Sequence, residues 1–190
     1  MDISSANIQT IYTKYKISPE RAEHSLGVAE IASELAEKYG EDPGKAWLAG
    51  ALHDIARDWT DAKLTEYALS HEMGITEEER RFPPLLHGRV AAEVAKNELG
   101  VQETEILAAI SHHTSGKANM DKLEMLLYLA DFLESTDEMP KYQHIRDKLA
   151  VSLPKTVNLV NQATKEHVRN QGYELSKDFL ENIDFYSKYQ

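Results

Sequence analysis

Cysteine is absent from the 190-residue chain. That removes disulfides, thiolate metal sites and a cysteine nucleophile in one step. Basic residues are the minority: 21 Lys and Arg stand against 32 Asp and Glu, a formal net charge of -11 with a pI near 5.2. A general DNA or RNA binder needs a basic footprint to neutralise phosphates, so nucleic acid is not an expected partner. A small phosphorylated substrate stays open, because a local basic pocket is enough to hold one. Long apolar runs are missing too. The longest, "MLLYLADFL" at 125–133, is far short of the ~20 residues of a membrane-spanning helix and carries Asp131. The first ten residues, "MDISSANIQT", have neither a basic nor an apolar stretch of the secretory kind. The expectation is a cytoplasmic protein with no membrane partner. Core-forming residues are not scarce: at 42% hydrophobic, the chain can bury a sizeable core as one domain.

Strand signals are also lacking. No run of alternating β-branched residues stands out, and the apolar periodicity is helical almost throughout. Ile3, Ile8, Ile11, Tyr12 and Tyr15 fit a short amphipathic helix over 3–15. Ser18-Pro19-Glu20 is a start signal, with Ser18 as N-cap and Pro19 in the first turn; the helix it opens runs to about Tyr39 and closes at Gly40. A helix from 41–43 is expected to carry "LAGALHDIAR" (48–57). Further helices are expected over 58–74, from "FPPLLHG" to about Leu99, and over 103–114 and 121–135, with "TEEERR" (76–81) a short polar helix or loop. Pro140 and Pro154 open the last elements, and 176–189 ends the chain. The expected fold is all-α: a single compact helical domain over 1–190, with a core at 18–135 and a C-terminal helical extension at 136–190.

What is present, and unexpected, is a set of metal-ligand residue types on apolar helix faces. His53 and Asp54 sit in the middle of "LAGALHDIAR". His24 shares a face with Val28, Ile31 and Leu35. His87 shares one with Val90, Ala91 and Val94. His113 follows Ile106, Ala109 and Ile110, and Asp131 lies with Leu123, Leu127 and Glu134. Singly, each has a structural explanation as a satisfied core histidine, a cap or an ion-pair partner. Six together would need six separate buried partners, which apolar faces do not offer. A shared metal site satisfies all of them, the cation offsetting the buried negative charge. Asp54, with two oxygens, is suited to bridge two ions, and two metals suit an in-line displacement at phosphorus. His71, in a polar helix, reads as solvent-facing. His144 and His167 lack an apolar stripe. Between His112 and His113 spacing does not choose.

The order His24, His53-Asp54, His87, His113, Asp131 resembles the HD-domain superfamily of metal-dependent phosphohydrolases. Within it the chain looks like the YqeK group of bacterial symmetrical diadenosine tetraphosphatases. "ERAEHSLGVAEIASELA" (20–36), "AGALHDIAR" (49–57), "PPLLHGRVAAEVA" (83–95), "AAISHHTSGK" (108–117) and "LLYLADFLE" (126–134) carry the likeness. The resemblance implies a dinuclear site, iron before manganese or cobalt. His24, His53, Asp54 and Asp131 would hold one ion; Asp54, His87 and His113 the other. It aligns His113-Thr114, rather than His112, with the ligand position. The implied reaction is hydrolysis of diadenosine tetraphosphate to two ADP. Departures are Arg57 where the group has Lys, Arg89 where it has Pro, and "STDEM" (135–139) where a Pro and a basic residue are expected, with Asp137 near that position.

The natural nucleophile is then a metal-bound hydroxide, with Asp54 and Arg57 as the catalytic pair. Phosphoryl transfer depends on positioning and on neutralising the equatorial oxygens. Arg57 is the first candidate for that, then Lys117, with Thr114 and the backbone N–H around Gly116 as neutral donors, then Arg89. Each cation has a plainer reading as solvated surface charge. "RRFPPLLHG" (80–88) cannot be continuous helix and is a candidate loop over the metal mouth, with Phe82 against a base. Competing readings are another hydrolase of the superfamily acting on nucleotides or phosphodiesters, a di-iron oxygenase, and a non-catalytic nucleotide-binding module. A homodimer through the apolar C-terminal helix is a further expectation.

Overall fold

The structure, a computed structural model, describes residues 3, 7–136, 139–149 and 152–189. Among them are eleven α-helices and no strand. They are α1 (Ile8–Tyr15), α2 (Pro19–Tyr39), α3 (Pro43–Leu52), α4 (Asp61–Ser70), α5 (Glu77–Arg81), α6 (His87–Asn97), α7 (Thr104–His112), α8 (Lys122–Ser135), α9 (Gln143–Lys148), α10 (Leu153–Asn170) and α11 (Lys177–Tyr186). Short 3-10 turns at Pro83–Leu86 and Pro140–Tyr142 precede α6 and α9.

Side-chain caps set most of the helix starts. Ser18 accepts from the Arg21 N–H, Asp42 from Gly44 and Lys45, and Thr60 from Lys63. Thr76 with Glu79 and Asp121 with Glu124 form reciprocal capping boxes for α5 and α8. Gly40, at φ 71°, closes α2 in the left-handed conformation.

The core forms where α2 lies across α3 and α8, with α6 and α7 packed behind. Gly50 permits the tightest of these approaches: a Cβ there would lie 2.5 Å from the Ala29 Cα. Ala49 and Ala51 beside it are also fully buried. The Tyr12 hydroxyl ties α1 to α3 through the Ala51 carbonyl at 2.8 Å. The C-terminal helices continue this packing, α10 against α8 and α11 against α10. Tyr128, Asn161 and Asn182 link all three through buried hydrogen bonds.

Three expectations about helix limits are corrected. The first helix starts at Ile8 rather than residue 3. The Pro83-Pro84 pair lacks N–H donors, so 83–86 forms a 3-10 turn and α6 begins only at His87. Most consequentially, α3 stops at Leu52, and His53 to Arg57 follow in tight turns with Ile55, Arg57 and Trp59 N–H groups bonding three residues back. The cause is His53 itself. Its Nδ1 bonds the Gly50 carbonyl at 2.6 Å, taking the acceptor that a continuing α-helix would give to the next N–H.

Candidate metal centre

The structure brings all six sequence-predicted ligand residues together. Asp54 is at the middle, and its two oxygens face opposite groups. Oδ2 lies 3.6 Å from His53 Nε2 and 3.9 Å from His24 Nε2. Oδ1 lies 3.2 Å from His87 Nε2 and 3.4 Å from His113 Nε2. Asp131 Oδ1 completes the first group, 3.2 Å from His24 Nε2 and 3.9 Å from His53 Nε2. His53, Asp54, His87 and His113 are buried, while Asp131 keeps 29% of its side chain exposed.

Each ring is oriented by its other nitrogen. The Nδ1 atoms of His53, His87 and His113 bond the carbonyls of Gly50, Pro84 and Ile110, at 2.6, 2.7 and 2.8 Å. In every case the carbonyl is three residues earlier, at the end of a helix or 3-10 turn. His24 uses Glu134 instead, its Nδ1 against the carboxylate. With Nδ1 carrying the proton, the Nε2 lone pairs of all four rings point inward, the usual arrangement of metal-ligating histidine. Two atoms show that something is required there. Asp54 Oδ1 and His53 Nε2 are buried and take part in no hydrogen bond. His87 and His113 bring two Nε2 atoms within 3.0 Å, an approach that needs a shared proton or a cation. The residues present therefore fit metal ions.

Burial pulls His53 down to about 4 and also lowers His87. Burial acts the same way on His113, but Asp54 outweighs it and the ring is raised. On His24 burial is likewise overcome, by Asp131 and Glu134, and it is pushed up to about 9. Burial works against charge on Asp54, yet His53, His113 and His87 hold its carboxyl well below the usual range. The centre keeps an ionised carboxylate among rings that differ in proton affinity, and a cation would replace protons there.

The predicted phosphate contacts are not all brought to this centre. Arg57 is exposed, and its charge is felt at His87. The Thr114 hydroxyl sits 3.1 and 3.2 Å from the Nε2 atoms of His87 and His113. Arg89 is engaged elsewhere, by Glu79 and by the Met73 and Gly74 carbonyls. Lys117 pairs with the buried Glu124 at 2.8 Å. The Gly116 N–H is spent on the His112 carbonyl at 2.7 Å, and a Cβ at Gly116 would lie 2.2 Å from Asn182 Nδ2. That glycine makes room for α11, not for a phosphate. His112 turns to Glu124 and His113 to Asp54, which separates the adjacent pair. His71, His144 and His167 are exposed. Asp137 lies outside the described residues.

The family model described as "HD domain" matches residues 21–136, a span containing every residue of the cluster. The chain belongs to the HD-domain family. HD-domain relatives extend the match. The symmetrical bis(5'-nucleosyl)-tetraphosphatase of Staphylococcus aureus is 36% identical over 80% of this chain and 78% of its own length. Its namesake from Bacillus subtilis is 32% identical over 83% and 80%. A crystal structure of a predicted HD superfamily hydrolase involved in NAD metabolism, from Clostridium acetobutylicum, superposes with a TM-score of 0.91 at 29% identity, covering 99% of both chains.

Sequence reasoning missed two members of this HD-domain centre. Arg21 places Nη1 2.8 Å from Asp54 Oδ2, and Glu134 braces His24. Spacing puts each beside a ligand, Arg21 three residues before His24 and Glu134 three after Asp131 on the same helix face, but spacing alone does not single them out. A charged residue at the first turn or on a helix rim carries no burial signal, so nothing marked them out.

Proposed function

We propose that this chain hydrolyses diadenosine tetraphosphate symmetrically to two ADP in a metal-dependent reaction, with residues 1–190 acting as one domain. The observation that carries the proposal is Asp54, one buried carboxylate with two imidazoles facing each of its oxygens. His24, His53, Asp54 and Asp131 would hold one ion, and Asp54, His87 and His113 the other. Bound metal supplies a water of lowered pKa as nucleophile and polarises the phosphoryl oxygen.

The protein's own part is positioning and charge. The three carbonyl-braced rings keep the donor atoms aimed before a substrate arrives, so little reorganisation is required. Arg57, exposed beside the centre, meets the negative charge of the polyphosphate. The Thr114 hydroxyl offers a neutral donor at the His87–His113 side. Two iron ions are our assignment, since imidazole and carboxylate donors suit iron; manganese or cobalt would accept the same donors. The reading places the enzyme in the cytoplasm. It includes a homodimer through α11, where Leu180 is 49% exposed, to be checked by light scattering.

The test is elemental analysis of the purified protein together with identification of products from diadenosine tetraphosphate and a panel of nucleotides. ADP as sole nucleotide product from the tetraphosphate is expected. ATP plus AMP, or no turnover by metal-replete protein, would overturn the proposal.

A further inference from the structure

A cavity of about 340 Å³ has Thr114 in its wall. Phe82, Leu85, Val168 and Phe179 make much of its wall apolar, and Thr114 and Tyr173 also line it. Thr114 belongs to the metal centre too, because its hydroxyl is the one lying against His87 and His113. The cavity and the centre therefore meet at Thr114, the residue they share. Phe82 and Tyr173 stand 5.9 Å apart between ring centroids at an interplanar angle of 42°. They remain 45% and 61% exposed. Two large aromatic faces left open beside a polar centre are a surface for a flat ligand.

The wall holding Tyr173 is fixed in place. The segment between α10 and α11 is tied to the α7–α8 loop by Ser176 Oγ against Ser115 Oγ at 3.2 Å. The start of α11 is tied to α5 by the Lys177 N–H, which bonds Glu78 Oε2 at 3.2 Å. Asn182 of α11 donates to the Ser115 carbonyl at 2.9 Å. The C-terminal extension thus builds one side of the cavity and steadies the loop that carries His113 and Thr114.

We propose that this cavity holds one adenine of the dinucleotide against Phe82 and Tyr173, with its phosphates passing Thr114 toward Asp54. The proposal rests on the hydrolase reading above and adds the residues that bind the base. Size and apolar character suit a ligand site of this kind. Charge decides the orientation. Glu78 and Glu174 line the cavity, against one cation, Arg81. Two carboxylates repel phosphate and can accept from an exocyclic amine, so the uncharged base enters here and the polyphosphate stays at the metal side. Every base has a π-face, which makes stacking the main source of affinity.

The experiment uses metal-replete full-length protein and the variants Phe82→Ala, Tyr173→Ala and Tyr173→Phe, with melting curves as a check on folding. The exposed positions of both rings leave the fold intact. Calorimetry measures binding of ADP and of inorganic tripolyphosphate, which has no base, and kinetics measures KM and kcat on diadenosine tetraphosphate. Each alanine variant should weaken ADP and raise KM by about tenfold, with kcat near wild type. Tripolyphosphate should bind all proteins alike, and Tyr173→Phe should restore ADP affinity. Unchanged ADP binding in both alanine variants, or an equal loss for tripolyphosphate, sinks the base pocket. If wild type does not cleave the tetraphosphate, the hydrolase reading fails separately, and the ADP measurement still decides the pocket.

Discussion

His53, His87 and His113 each lock a ring against a carbonyl three residues earlier, whereas Arg57, four residues past His53, reaches solvent with no side-chain partner among the described residues. The cradle and the rim of the same centre are held by different means. In the cradle, buried rings have one acceptor each and one direction left to point. At the rim, the three candidate cations go to different fates: Arg57, the first of them, has no side-chain hydrogen bond or ion pair among the described residues, while Lys117 and Arg89 settle on Glu124 and Glu79. Burial removes choices; exposure leaves a flexible cation to whichever carboxylate the fold brings near.

The strongest way to break the cradle is Asp54→Ala, which removes both facing oxygens at once. Metal content should fall to background in elemental analysis, and ADP release should fall by about a thousandfold or more. Full activity in that variant would be fatal to the ligand assignment. Next in size is the backbone contact that brings the cradle's helices together. Gly50→Val should cost about 3 kcal/mol or more, read from the denaturation midpoint, because its side chain would meet the Ala29 backbone.

The rim is sharpened by a paired test. Arg57→Ala should lower kcat/KM by about a hundredfold while leaving bound metal unchanged. Arg89→Ala should leave kcat/KM close to wild type but cost about 2 kcal/mol of stability, since Glu79 and two carbonyls lose their partner. The reverse pattern would exchange their roles.

The smallest effect concerns Glu124. Burial favours its neutral form, but His112 and Lys117 outweigh that and hold it down at about 2. A depressed carboxylate stabilises the fold above its ordinary value of 4.5 and loses that contribution as pH falls toward 2. Glu124→Gln should therefore cost about 1–2 kcal/mol near neutrality and flatten the loss of stability across that acid window, measured by urea titration at several pH values.

Much of the centre was legible because polar residues on apolar faces are rare and need a reason. His24, His87, His113 and Asp131 stood out against Val28, Val90, Ile110 and Leu127, and these neighbours are buried as periodicity requires. The helical class was legible from the same 3.6-residue pattern and from caps such as Ser18 and Asp121. The end of α3 was not, since it depends on where the His53 ring turns, and an apolar run through Ile55 and Ala56 gives no sign of it. Nor was the part played by the C-terminal extension. Gly116 reads as a phosphate-loop glycine until Asn182, far along the chain, is found against it.

By itself the sequence determined that the chain is helical, that six ligand-type side chains stand on apolar helix faces, and that Asp54 is the one able to serve two groups. These follow from local periodicity and from the cost of unpaired buried polar atoms, which hold whatever the long-range fold. Only the tertiary structure decided which nitrogen of each ring faces inward, that His112 turns away to Glu124, and which cations remain free for substrate. Those outcomes depend on partners distant in sequence, such as Glu124, Glu79 and Glu134, whose approach no local pattern encodes.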